Sequence, residues 1–189
     1  MQIGLYFGSF NPIHVGHLII VNYIVNNTNL EQVWFVVSPH NPLKTKDSLL
    51  NKYHRKYLID IAIDGEKKLK TSTIEFSLPI PSYTIDTLAY LKEKYPNHIF
   101  SVIMGSDSLQ NITKWKNYET LINNYQILVY VRPGFAIDTN LNKNIISLKA
   151  PLLDISSTKI REMIKNGDSV KFLVPDVVKE EIEKNHYYK

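Results

Sequence analysis

The chain has 189 residues, with 22 Lys plus Arg against 18 Asp plus Glu and a formal charge of +4. That is the length of one domain, and 44% hydrophobic with 21% charged residues is a globular composition, far from that of disordered chains. The absence of cysteine excludes disulfides, Cys-bound zinc, iron–sulfur clusters and thiol nucleophiles.

Strand and helix signals alternate from the first residues. Ile3 to Phe7 is a short apolar run bounded by Gly8-Ser9 and predicts a strand, and Leu18, Ile19, Val21, Ile24 and Val25 recur at helical spacing behind it. The continuous apolar run Val33 to Val37 suits a strand covered on both faces. A polar loop from Ser38 to Ser48 follows, then a helix marked by Tyr57, Leu58, Ile61 and Ala62. Thr71 to Phe76 is β-prone, Tyr83 to Lys94 helical, and Ile99 to Met104 and Ile127 to Val131 are further strands. Beyond an Asn-rich stretch, Ile145 to Leu148 predicts one more strand, Ser156 to Lys165 a helix ended by Asn166-Gly167, and Pro175 to Lys184 a last helix opened by Pro. The alternation predicts an α/β protein: a doubly wound, Rossmann-like parallel sheet flanked by helices, with a small C-terminal helical part, all in one domain over 1–189.

No window approaches the roughly 18 apolar residues of a membrane span, and no secretory signal pattern opens the chain, so the expectation is a cytoplasmic protein with no membrane partner. The surplus positive charge is small and forms no basic run, which argues against nucleic acid. Only Arg55, Arg132 and Arg161 are Arg, which leaves 19 of the 22 basic residues as Lys. Arg offers a planar fork for phosphate or carboxylate that Lys cannot reproduce, so each one is a candidate site residue, with a structural ion pair the competing role for all three and most of all for Arg55. An oligomer of identical chains is compatible with everything here.

The segment Gly8-Ser9-Phe10-Asn11-Pro12-Ile13-His14-Val15-Gly16-His17 lies where the first strand passes into the first helix. In open α/β sheets ligands bind at the carboxyl ends of strands, and helix N-termini attract anions. Gly8 and Ser9 suit a tight turn, and His14 and His17 are three residues apart on one helical face. Gly16 between them removes bulk where a ligand would lie. Two imidazoles there can donate to phosphate oxygens. Metal binding and plain structural histidines remain as alternatives, although no third metal ligand is evident nearby. In Ile155-Ser156-Ser157-Thr158-Lys159-Ile160-Arg161 the hydroxyls can cap a helix, and Arg161 one turn in can face a polyphosphate. Gly105-Ser106-Asp107 follows a buried-type strand, where Gly105 admits a nucleotide to the backbone and Asp107 accepts hydrogen bonds from a ribose or caps a helix. Trp115, in a polar setting, is an anchor on the core or a stacking surface for a flat ring, whereas Trp34 reads as core.

The two blocks resemble the paired nucleotide-binding motifs of the nucleotidyltransferase superfamily. Ser82-Tyr83-Thr84-Ile85-Asp86-Thr87-Leu88, Gly105-Ser106-Asp107-Ser108-Leu109, Trp115 with Tyr118-Glu119, and Arg132-Pro133-Gly134 narrow the resemblance to the bacterial nicotinate-nucleotide adenylyltransferases. The first block departs from many members, which carry Gly or Thr at the position of Ser9 and Asp at that of Asn11. The resemblance implies transfer of AMP from ATP to nicotinate mononucleotide, giving deamido-NAD and pyrophosphate. It assigns Gly8, Ser9, Phe10, His14, His17, Gly105, Asp107, Ile155, Ser156, Ser157, Thr158 and Arg161 to ATP, with His14, His17 and Arg161 catalytic. It assigns Lys44, Tyr83, Thr84, Trp115, Lys116 and Arg132 to the mononucleotide. Trp115 would stack on the nicotinate ring, Thr84 and nearby N–H groups take its carboxylate, and Arg132 hold the phosphate. Mg²⁺ would arrive mainly through the ATP phosphates, with no dedicated protein ligands. Two rivals remain: a nucleotidyltransferase acting on another phosphate ester such as phosphopantetheine, and a non-catalytic module that senses nucleotides.

Overall fold

A computed structural model describes residues 1–39, 49–138, 141–151 and 153–189. Strands β1 (Gln2–Gly8), β2 (Gln32–Val37), β3 (Leu69–Ser72), β4 (Ile99–Gly105), β5 (Gln126–Tyr130) and β6 (Ile145–Leu148) form one sheet in the order β3-β2-β1-β4-β5-β6, with every neighbouring pair parallel. The helices are α1 (Val15–Asn27), α2 (Lys52–Ala62), α3 (Thr84–Lys94), α4 (Ser106–Leu109), α5 (Tyr118–Asn124), α6 (Ser157–Asn166) and α7 (Asp176–Lys184). The doubly wound, Rossmann-like arrangement expected from the alternation is the one observed.

Side chains alternate across each strand and so feed two separate cores. On one face Tyr6, Val33, Phe35 and Val37 meet Val21 and Ile24 of α1, Leu58 and Ile59 of α2, Ile160 of α6, and Val178 and Ile182 of α7. On the other face Ile3, Leu5, Trp34 and Val36 meet Ile85, Leu88 and Leu91 of α3 and Leu121 and Ile122 of α5. Residues Val33 to Val37 are all buried, which is why that run carries no polar alternation, and Trp34 is a core residue as read. The β-prone stretch at Thr71 to Phe76 is shorter than expected. β3 stops at Ser72, and a single 3₁₀ turn over Ile74–Ser77 carries Glu75 inward, where its carboxylate accepts from Ser82 Oγ at 2.8 Å and Thr87 Oγ1 at 3.0 Å.

Arg55 forms no carboxylate pair among the described residues. It is fully buried in α2, and its guanidinium donates to the carbonyls of Leu50 (2.8 Å), Ser9, Ser38 (2.9 Å) and Pro39 (3.2 Å). One fork therefore ties the end of β2 and the loop after β1 to α2. Burial lowers its pKa to about 10, and it remains charged near neutral pH. Removing a buried cation strands the carbonyls it served. Arg55→Met should lower the unfolding free energy in urea by about 3 kcal/mol, and a loss below about 1 kcal/mol would show that these bonds contribute little.

Candidate active site

A cleft of about 990 Å³ opens at the carboxyl ends of β1, β4 and β5. Its position between β1 and β4 is where strand order reverses, the place at which such sheets bind ligands. The volume lies at the upper end of small-ligand sites.

The first block forms one wall. Phe10 takes a left-handed backbone conformation (φ 46°) and buries its ring against Tyr6, Phe35 and His17. The space that Gly8 leaves is used by this ring, which a Cβ would approach to 2.8 Å. Asn11 turns inward, and its side-chain oxygen accepts from the Leu50 N–H at 3.1 Å. His14 is the N-cap of α1, and its ring stacks on His17 with centroids 3.6 Å apart. The His14 N–H donates to Nδ1 of His17 at 3.3 Å, so a neutral His17 keeps its proton on Nε2. Gly16 makes room for protein rather than for ligand, since a Cβ there would lie 3.0 Å from Nδ1 of His14 and 3.5 Å from Ile155.

The second block forms the facing wall. Ser156 caps α6 by accepting from the Lys159 N–H at 3.2 Å. Ser157 Oγ donates to the Pro12 carbonyl at 2.9 Å, and Arg161 Nη1 donates to the Asn11 carbonyl at 2.8 Å. These two bonds bring segments about 150 residues apart onto one cleft. The Ser156 cap and the Ser157 bond commit both hydroxyls to the fold, and Arg161 Nη2 also donates to Thr158 Oγ1 at 3.4 Å, which leaves the N–H groups of Ser157 and Thr158 and the remaining Arg161 donors to face an anion. Ile155 lies behind the histidines, against Gly16.

The floor comes from β4 and β5. A Cβ on Gly105 would sit 2.3 Å from Asp107 Oδ1, 3.2 Å from Arg132 Nε and 3.2 Å from Tyr130 Cζ, so only glycine admits these three side chains. Arg132 pairs with Asp107 at 3.5 Å and donates its backbone N–H to Ser106 Oγ at 2.9 Å. Trp115 is half-buried: it packs against the second core with Tyr83 and Tyr118, as an anchor does, and it also lines the cleft. Tyr83, Thr84 and Lys116 are not among the residues that line the cleft; Lys116 bonds Asp86 at 2.7 Å and sits 5.0 Å above the Tyr83 ring. Lys44 lies outside the described residues. Sequence reasoning missed Tyr6, Ser106 and Tyr130. The only signal for them was hydroxyl side chains at the ends of otherwise apolar strands.

Among the described residues no group of three or more His, Cys, Asp or Glu side chains could hold a metal ion, and no helix is long and apolar enough to cross a membrane. Burial, and next the nearby charge of Arg132, push His14 from its ordinary 6.5 down to about 3. The ring is therefore neutral near pH 7 and offers one N–H. An unfolded chain takes up a proton below pH 6.5 that the folded chain refuses, so stability is lost as pH falls from 6.5 toward about 3. The melting midpoint of His14→Gln should fall less steeply than that of the wild type across this window, and equal slopes would refute a depressed His14.

Comparison with known proteins agrees with this geometry. A family model described as cytidylyltransferase-like matches residues 5–163. A protein of Flavobacterium psychrophilum named "Probable nicotinate-nucleotide adenylyltransferase" is 51% identical over the whole of both chains, and one so named from Cytophaga hutchinsonii is 48% identical over all of this chain and 98% of its own. A Plasmodium falciparum nicotinic acid mononucleotide adenylyltransferase complexed with NaAD superposes with a TM-score of 0.83 at 25% identity, covering 99% of this chain and 97% of its own.

Proposed function

The chain belongs to the nicotinate-nucleotide adenylyltransferases within the cytidylyltransferase-like family, and from that premise we propose that its cleft transfers AMP from ATP to nicotinate mononucleotide, giving deamido-NAD and pyrophosphate. The reaction belongs to NAD biosynthesis. The observation that carries the assignment is the convergence of the openings of α1 and α6 on one cleft through the Ser157–Pro12 and Arg161–Asn11 hydrogen bonds.

The nucleophile is a phosphate monoester oxygen, already anionic near neutral pH because its second pKa is about 6, and no general base is needed. It attacks the α-phosphorus of ATP in line. The new P–O bond forms as the bond to the β-phosphate oxygen breaks, and the electron pair leaves with pyrophosphate. No covalent enzyme intermediate is involved. What remains for the protein is alignment and neutralisation of charge on the leaving group. His17 donates through Nε2, His14 through its single N–H, and Arg161 through the part of its fork that Asn11 does not use. Gly8, Ser9, Phe10 and the α6 residues Ser157 and Thr158 shape the triphosphate wall, with Ile155 and Ser156 supporting it. Gly105 and Asp107 take the adenosine, as the resemblance implies. Trp115 stacks on the nicotinate ring, Arg132 holds the mononucleotide phosphate, and Tyr83, Thr84, Lys116 and Lys44 complete that side. The donor set of the cleft is nitrogen-rich and poor in carboxylates, which fits Mg²⁺ carried by the phosphates of ATP, where it neutralises their charge.

Incubation with ATP, Mg²⁺ and nicotinate mononucleotide should release pyrophosphate and yield deamido-NAD. Pyrophosphate formed only with a different phosphate ester, or none at all, would overturn the reading. His17→Ala should lower kcat by about 100-fold or more, the scale of a lost transition-state donor, without loss of fold. Trp115→Ala should raise KM for the mononucleotide well above any change in KM for ATP, and equal changes would contradict stacking.

A further inference from the structure

Tyr6 in β1 and Tyr130 in β5 stand on either side of β4, yet their hydroxyls meet at 3.0 Å. The register explains how. Gly105 of β4 is the partner of Tyr130, and without a Cβ the Tyr130 ring lies across β4 toward Tyr6. Both tyrosines are buried, and the Tyr6 ring meets His17 edge-on at 5.9 Å. At the other end the Arg132 guanidinium lies 5.9 Å from the Tyr130 ring centroid, and Tyr130 stabilises its charge. Behind the two histidines is a small cavity of about 20 Å³, lined by Tyr6, His14, Gly16, Tyr130, Arg132 and Ile155 among others. Nδ1 of His14 faces the Gly16 and Ile155 side of it and is buried without a hydrogen-bond partner among the described residues. A cavity of that size holds one water, which needs polar neighbours such as these.

We propose that Arg132, Tyr130 and Tyr6 form a one-way hydrogen-bond relay that reaches Nδ1 of His14 through a single water in the small cavity, and that the relay holds His14 as its Nε2–H tautomer. Donor accounting sets the direction. A guanidinium only donates, so the Tyr130 oxygen accepts from Arg132 and passes its own proton to the Tyr6 oxygen. The Tyr6 proton then points onward, and the hydroxyl keeps it, because burial and then Tyr130 raise its pKa well above the ordinary value. The water accepts that proton and donates to Nδ1, which leaves the His14 proton on Nε2. Each bond polarises the next. The charged groups facing this assembly are Arg132 with its partner Asp107, and Arg161 on the opposite wall; His17 stacks on the His14 ring. Tyr6 and Tyr130 are thus positioning residues that join the Arg132 side of the cleft to the histidine side.

The tautomer does not depend on the adenylyl-transfer reading, whereas its effect on turnover does. In the substrate-free protein, ¹⁵N NMR of His14 should show an unprotonated Nδ1 and a protonated Nε2. Tyr6→Phe and Tyr130→Phe keep the rings and remove one hydroxyl each, and either should move the ring toward a mixture of tautomers. Tyr6→Phe, which leaves Arg132 untouched, should also lower kcat by roughly 3- to 10-fold, the worth of one net hydrogen bond, with both KM values held. A wild-type ring protonated on Nδ1, or ring nitrogen shifts unchanged in both variants, would overturn the relay. Wild-type protein with the expected tautomer but no dinucleotide product would instead overturn the functional reading alone.

Discussion

Two side chains of the second motif, Ser157 and Arg161, donate protons to the carbonyls of Pro12 and Asn11, and the site exists because of those two bonds. A parallel sheet brings the carboxyl ends of β1 and β4 together unaided, but α6 reaches that edge only after six strands have been laid down. Its register on α1 has to be fixed by something other than the ladder. Backbone carbonyls of the first motif do this, so the loop that carries the histidines is also the template against which the second anion-facing helix is set. Burial of Ile160 beneath α6 and the bond from the Val15 N–H to the Leu173 carbonyl hold the same junction from behind.

The chain uses its scarce arginines accordingly. Arg55 sits below the site and satisfies four carbonyls that no strand or helix serves, Arg132 lies along the floor beside Asp107, and Arg161 spans the gap between the motifs. Lysine would fail at each place for the same reason, because a single ammonium cannot present several donors in one plane. Several of the lysines make ion pairs instead: Lys56 and Lys179 pair one turn along helix surfaces, and Lys116 bridges to α3.

Much of this was legible in the residues. Apolar runs without polar alternation announced buried parallel strands, and Ser156 and Gly167 bracketed α6 as cap residues do. The spacing of His14 and His17 pointed to a shared face, although the two rings stack on each other in addition to facing the cleft. Other features were not legible, because they depend on tertiary neighbours. Nothing local marks Gly16 as room for the His14 ring, Gly105 as the gap through which Tyr130 reaches Tyr6, or Arg55 as a brace of carbonyls. The split of Thr71 to Phe76 into a short strand and a 3₁₀ turn likewise follows from burial of Glu75 among the hydroxyls of Ser82 and Thr87, partners that lie seven and twelve residues on.

The central claim is that one triphosphate bridges the openings of α1 and α6. A crystal structure with α,β-methylene ATP and Mg²⁺ tests it directly. The account predicts phosphate oxygens within hydrogen-bond distance of Nε2 of His17, the Arg161 guanidinium and the N–H groups at the start of α6. A triphosphate lying along Arg132 and Trp115 instead, with His17 and Arg161 out of reach, would contradict it.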